Sequence, residues 1–205
     1  QLGLSGYAMA SAPEVKSHDL DVPRIGYVHS WTRTQDEGWV RAAFDHYGVP
    51  YTYFGEPKLK EGNLRAKYDV IVYPHGGTGL GGGGGFGGGG GGGGGGANAN
   101  NPAADKPIPF KRTAEFPALG YPDSTDDIRG AVGPEGMKAL YEFVQQGGTL
   151  ITEGSTASIL PELKLTPGVA LENPPTLFAR GTILRGKITD PKSPLVYGYH
   201  RSEVP

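Results

Sequence analysis

Cysteine is absent from this chain. That absence removes disulfides, Cys-ligated zinc, iron–sulfur clusters and a Cys nucleophile from consideration. It does not fix the redox compartment, because many secreted bacterial domains also lack cysteine. An excess of one charge sign is missing too: 19 basic residues face 21 acidic ones, for a net charge of −2. Such a balance gives no electrostatic argument for nucleic acid or an anionic membrane as partner. No apolar run approaches the roughly 20 residues that span a bilayer. The five histidines (His18, His29, His46, His75 and His200) are read as standing in none of the HExxH, HxxE and HxH spacings, and no metal site is expected locally. No Gly-Lys-Ser/Thr and no Gly-x-Ser-x-Gly occurs, so the phosphate loop and the usual serine elbow are missing as well.

Glycine, by contrast, is abundant. Half of the 36 glycines lie between Gly76 and Gly96. Glycine loses the most conformational entropy on ordering, and this stretch has almost no side chain to bury. A flexible insert at 76–101 is the simplest reading. A packed polyglycine layer, held by another copy of the chain, is a second, and a run that is not genetically encoded is a third. Outside it the composition is that of a globular domain with enough apolar residues for one core.

Residues 1–22 read as a linker or N-terminal arm, and 23–205 as one α/β domain carrying the glycine-rich insert. Gln1 and Pro205 read as the ends of a fragment. Arg24–His29 is a short apolar run suited to a buried first strand. Thr34, with Glu37 three residues later, matches a capping box. Trp39, Val40, Ala43, Phe44 and Tyr47 then follow at helical spacing, predicting a helix over Gln35–Tyr47 closed by Gly48. Tyr51–Phe54 and the continuous apolar run Tyr68–Tyr73 predict two more strands, with a polar helix or turn over Lys58–Lys67 between them. Pro134–Gln146 predicts a helix with Met137, Leu140, Tyr141 and Val144 as its apolar stripe, followed by a strand at Thr149–Thr152. Short strands are expected at Leu177–Ala179, Thr182–Ile188 and Leu195–Tyr197. This alternation implies an open parallel sheet with helices on both faces. Ligand sites in such sheets lie beyond the carboxyl ends of the strands. Here those ends carry His29–Thr34, Phe54–Lys58, Pro74–Gly79 and Glu153–Ser158.

Candidate chemistry at those ends is thin. His29 and His75 could meet each other or Glu153, but hydrogen-bonded loop residues are the simpler reading. Glu153 occupies the turn where a nucleophile elbow would sit, with Ser155 two residues on. Helix N-capping explains Ser155 and Thr156 more cheaply than nucleophilic catalysis. Asp123–Asp127 is an acidic stretch whose oxygens could bind Ca²⁺. Its spacing is not that of an EF-hand, and a solvated turn with N-caps is the simpler assignment. Asp36 and Glu37 could form a carboxylate pair, though the capping box accounts for Glu37. His46 suits the negative end of its helix.

The stretches RIGYVHSWTRTQDEGWVRAAFDHYGVPYTY (24–53), LRAKYDVIVYPH (64–75), DSTDDIRG (123–130), GPEGMKALYEFVQQGGTLITEGST (133–156) and KSPLVYGY (192–199) resemble a segment of bacterial M14-type zinc carboxypeptidases. In such proteins this segment follows the peptidase domain and is similar to the class I glutamine amidotransferase fold, a flavodoxin-like open sheet. The resemblance implies an accessory domain, ligand-binding or structural, of a secreted, periplasmic or cell-surface protein whose own activity is proteolysis. Zinc and the catalytic residues would belong to the peptidase domain, which would be this domain's partner in the same chain. No cofactor or metal is expected in the chain itself. Amidotransferase activity would need a Cys where Glu153 stands, so no catalytic residue is expected; Glu153, Ser155, His29 and His75 are the weak candidates. Two alternatives stay open. One is a structural protein that self-assembles into a homo-oligomer through its glycine tract. The other is a hydrolase or lyase using a Glu153/His crevice.

Overall fold

The computed structural model describes residues 7–16, 21–31, 34–74, 106–121, 123–128, 132–172, 175–176 and 182–205. The glycine-rich insert, His75 and the expected strand at Leu177–Ala179 lie outside them. The chain divides into two units, one ending at Val169 and the other Ala170–Pro205.

The first unit is built on four parallel strands: β1 (Ile25–His29), β2 (Thr52–Gly55), β3 (Val70–Tyr73) and β4 (Thr149–Thr152), in the order β2-β1-β3-β4. Pairing is in register from Gly26 opposite Thr52, Ile25 opposite Val70, and Val70 opposite Thr149. Helix α1 (Gln35–Tyr47) connects β1 to β2. The return from β2 to β3 passes over β1 through a 3₁₀ segment, Glu56–Glu61, and the short α2 (Leu64–Lys67). Helix α3 (Gly133–Gln145) precedes β4. Parallel strands require such crossovers, and their right-handedness puts α1 on one face and the later helices on the other.

Strand alternation then sorts the side chains. Val28, Phe54, Ile71 and Tyr73 join Leu59, Leu64, Met137, Leu140 and Phe143 in one buried cluster. On the opposite face Tyr27 meets Phe44, Tyr51 and Tyr53 edge-on or stacked, with centroids 5.7–6.2 Å apart. An open parallel α/β sheet is therefore what the alternation of elements implied.

Several local expectations are corrected. Thr34 precedes α1 with helical dihedrals and makes no side-chain cap. A capping hydroxyl needs an extended backbone to reach the free N–H groups, so no capping box forms. Glu37 instead turns inward and is 2 % exposed. The buried face of α1 therefore runs through Glu37, with Val40, Arg41 and Phe44 half-buried, while Trp39 is 72 % and Tyr47 76 % exposed. In α3, Ala139 and Phe143 fill the core and Tyr141 faces outward. Gly48 does close α1 in the left-handed conformation, at φ 66°, where a side chain would be strained.

In the second unit, Gly186–Lys187 (β5), within the expected strand Thr182–Ile188, pairs antiparallel with Glu203–Val204 (β6). Leu195–Tyr197 is not a strand: Pro194–Val196 forms a 3₁₀ turn. Proline has no N–H for a ladder and a φ already suited to a turn.

Candidate functional site at the strand ends

The carboxyl end of β1 places His29 on the α1 face, buried, directly opposite Gly55 of β2. Its imidazole stacks on Tyr53 (centroids 4.3 Å, 15°) and meets Trp31 edge-on at 4.4 Å. Nε2 lies 3.1 Å from Asp123 Oδ2. The same carboxylate oxygen accepts the Gly55 N–H at 2.8 Å, and Oδ1 accepts the Ser124 N–H. Position 55 is tight: a Cβ there would lie 3.2 Å from Asp123 Oδ2 and 3.3 Å from the Trp31 indole. Trp31 in turn packs on Phe110 at 5.2 Å. Phe110 is bridged antiparallel to Thr125, so the 106–128 stretch is pinned to the sheet through Asp123 and Trp31. The Trp31 Nε1–H is buried beside this cluster without an acceptor among the described residues.

A second layer lies behind the histidine. The Glu37 carboxylate accepts the Tyr53 hydroxyl and, at 3.2 Å, the Ser30 N–H. Arg41 stacks over the Tyr53 ring at 4.0 Å, and its Nε donates to the Tyr51 hydroxyl, which donates to Asp45. Burial pushes Glu37 above its ordinary carboxylate value, against the Tyr53 and Ser30 bonds that favour its charge. Burial likewise raises the Tyr53 hydroxyl, with Glu37 adding to the shift.

His29 is pushed below its ordinary value of 6.5 by burial; Asp123 and a bond to the Ser30 backbone oppose the shift, and nearby Arg41 reinforces it. A histidine harder to protonate when folded supplies stability that is present above pH 6.5 and lost as the pH falls toward its folded value. Glu37 acts in the opposite sense: its contribution is present below its ordinary value and lost as the pH rises. The melting temperature of the native chain should therefore fall, relative to that of His29→Gln, between pH 7.5 and 5.5. Parallel curves would show that His29 titrates as it does in the unfolded chain.

The remaining sequence candidates are dispersed. Glu153 is half-buried. Its N–H donates to the Tyr73 carbonyl at 3.2 Å, and no hydrogen bond joins its carboxylate to His29 among the described residues. Ser155 lies in the 3₁₀ segment Gly154–Ser158, and its hydroxyl, like His75, is outside what the structure describes. Thr156 is not an N-cap: fully buried, its hydroxyl is shared among the carbonyls of Tyr73, Pro74 and Glu153. It thus ties the end of β3 to the turn after β4. Below it, the buried Tyr73 hydroxyl donates to Glu56.

The acidic stretch is not one solvated turn. The Asp123 side chain is 12 % exposed and faces His29, while Asp126 pairs outward with Lys111 and Asp127 accepts the Ile108 N–H. The carboxylates diverge, and among the described residues no three His, Asp or Glu side chains converge as a metal site would require. His200 and Glu203 do stand in H-x-x-E spacing, which corrects the expectation that no histidine does. Glu203 lies 3.5 Å from Arg185 and is paired there. The His29–Asp123 pair had no local signal, being 94 residues apart in sequence.

Fold and site together define an open parallel α/β domain whose strand-end crevice is filled by a hydrogen-bonded His–Asp pair. No protein-family model, curated protein or solved structure matches the chain. Among the described residues no helix is long and apolar enough to cross a membrane.

Proposed function

We propose that this chain is a non-catalytic accessory domain, ligand-binding or structural, of a secreted zinc carboxypeptidase-like protein, with a flavodoxin-like, class I glutamine amidotransferase-like fold. The strand order β2-β1-β3-β4 is the first four-fifths of the flavodoxin order, which supports the finer fold assignment. The observation that carries the functional reading is the state of His29. Its Nε2 is engaged by Asp123, and its buried ring is stacked on Tyr53 and edge-on to Trp31. A general base needs a free nitrogen within hydrogen-bond reach of the proton it takes. His29 is buried between Tyr53 and Trp31 and so presents no nitrogen to an incoming substrate, and among the described residues no hydrogen bond joins Glu153 to it. The pair works instead as a clasp between the sheet and the 106–128 stretch. Proteolysis, and any zinc, would belong to a peptidase domain of the same parent protein.

The purified chain is expected to release no ammonia from glutamine and no product from peptide or ester substrates above the buffer rate. Glu153→Gln should change nothing. Turnover that falls with Glu153→Gln or His29→Asn would replace this reading with the hydrolase or lyase alternative. Peptide mapping of the intact source protein should find a zinc peptidase domain covalently joined to this one. A source protein without such a domain would remove the carboxypeptidase link.

A further inference from the structure

We propose that α1 presents a self-complementary face through which two copies of this chain pair, antiparallel, about a twofold axis at Ala43. The helix has two faces. The inner one, through Glu37, Val40, Arg41 and Phe44, packs on the sheet. The outer one carries Trp39, Ala42, Ala43, His46 and Tyr47, all exposed. Their spacing (i, i+3, i+4, i+7, i+8) is the stripe that helices ordinarily bury. Isolated exposed apolar residues need no explanation. Here two large rings stand two turns apart with two alanines between them. The small residues let a second helix approach closely, and the rings close over its flanks.

Symmetry selects the occupant. A twofold axis at Ala43 exchanges positions 39 and 47, so Trp39 of each copy meets the second copy's Tyr47, and both contacts form at once. That is the arrangement an isologous interface requires. Charge agrees with it. Asp36 lies in the first turn of α1 and His46 in the last. Antiparallel pairing brings each acidic first turn to within about one turn of the second copy's His46 and opposes the two helix dipoles. The four rings supply several hundred Å² of the roughly 1,200 Å² at the low end of specific interfaces. Association in the micromolar range follows, rather than an obligate dimer.

The chain's lack of cysteine makes the test direct, because Ala43→Cys places a single thiol on the proposed axis. Helices packed about 8–10 Å apart bring facing Cα atoms within the roughly 4.4–6.8 Å that a disulfide spans. Sedimentation velocity on the native chain should show a concentration-dependent dimer. Ala43→Cys should oxidise to a covalent dimer faster than the control Lys138→Cys on the outer face of α3. Trp39→Lys should weaken the dimer about thirtyfold while leaving the circular dichroism spectrum unchanged. A monomer at several hundred micromolar overturns the proposal. So does crosslinking no faster than the control, or a dimer unaffected by Trp39→Lys, which would place the contact elsewhere, including the glycine tract.

Discussion

Replacing Phe143 by Ala is expected to cost about 3–5 kcal/mol of stability, the range for deleting a buried aromatic side chain. Phe143 is 1 % exposed and sits in the cluster formed by α3, β1, β3 and the segment after β2. Its ring lies flat against Gly148, where a Cβ would come within 2.3–2.5 Å of the ring carbons. One wall of the resulting cavity would therefore be backbone, held by the pairing of β4 with β3. Such a wall cannot collapse inward, so the cost should fall near the top of the range. Gly148→Ala tests the same contact from the other side and should cost about 1–3 kcal/mol by overpacking. In the double variant the smaller residue at 143 makes room for the new methyl group, so the two costs should add to less than their sum. Urea unfolding of the three variants measures this. A loss below about 1 kcal/mol in Phe143→Ala would show that the ring is not packed as described.

Glu37→Ala should be the second large loss, at about 3 kcal/mol. A buried carboxylate that accepts two hydrogen bonds contributes more than a neutral partner, and its removal leaves the Tyr53 hydroxyl and the Ser30 N–H unpaired. The alternative role, capping α1 from the surface, would cost only about 1 kcal/mol. The size of the effect therefore separates the two roles. Glu37→Gln should recover part of the loss, because an amide oxygen can still accept one of the bonds. Tyr53 stacks on His29, which touches Trp31. Loss of the Glu37 anchor should therefore also shift the Trp31 emission, best read in a Trp39→Phe background. A neutral Glu37→Ala with unchanged fluorescence would return Glu37 to the surface.

Helices α1 and α3 and the four strands of the sheet were legible because each depends on neighbours in sequence. The run of apolar residues in β3 and the Gly48 stop of α1 are signals within one segment. The orientation of α1 was not. Trp39 and Tyr47 look like core residues by hydropathy, and Glu37 looks like a cap. Hydropathy alone does not say which side of a helix meets the sheet when both sides carry rings. The Tyr53 hydroxyl and the Ser30 N–H decide it, by giving a buried carboxylate the partners it must have.

The candidate site was half legible. The parallel alternation of elements pointed to the strand ends, and His29 stands there as expected. Its partner was read as solvated because Asp123 sits among polar neighbours in a loop. Folding reverses that reading: β1 and β2 bring His29 and the Gly55 N–H side by side, and Asp123 satisfies both. The sequence by itself determined the order of elements, the absence of thiol chemistry and the end of the sheet where function should be sought. Those follow from composition and from periodicities of two and 3.6 residues. Tertiary structure decided which face of α1 is buried, where Glu37 points and that His29 is clasped rather than free. Each of those depends on groups many residues apart competing for the same buried hydrogen bonds, and no local pattern encodes the winner.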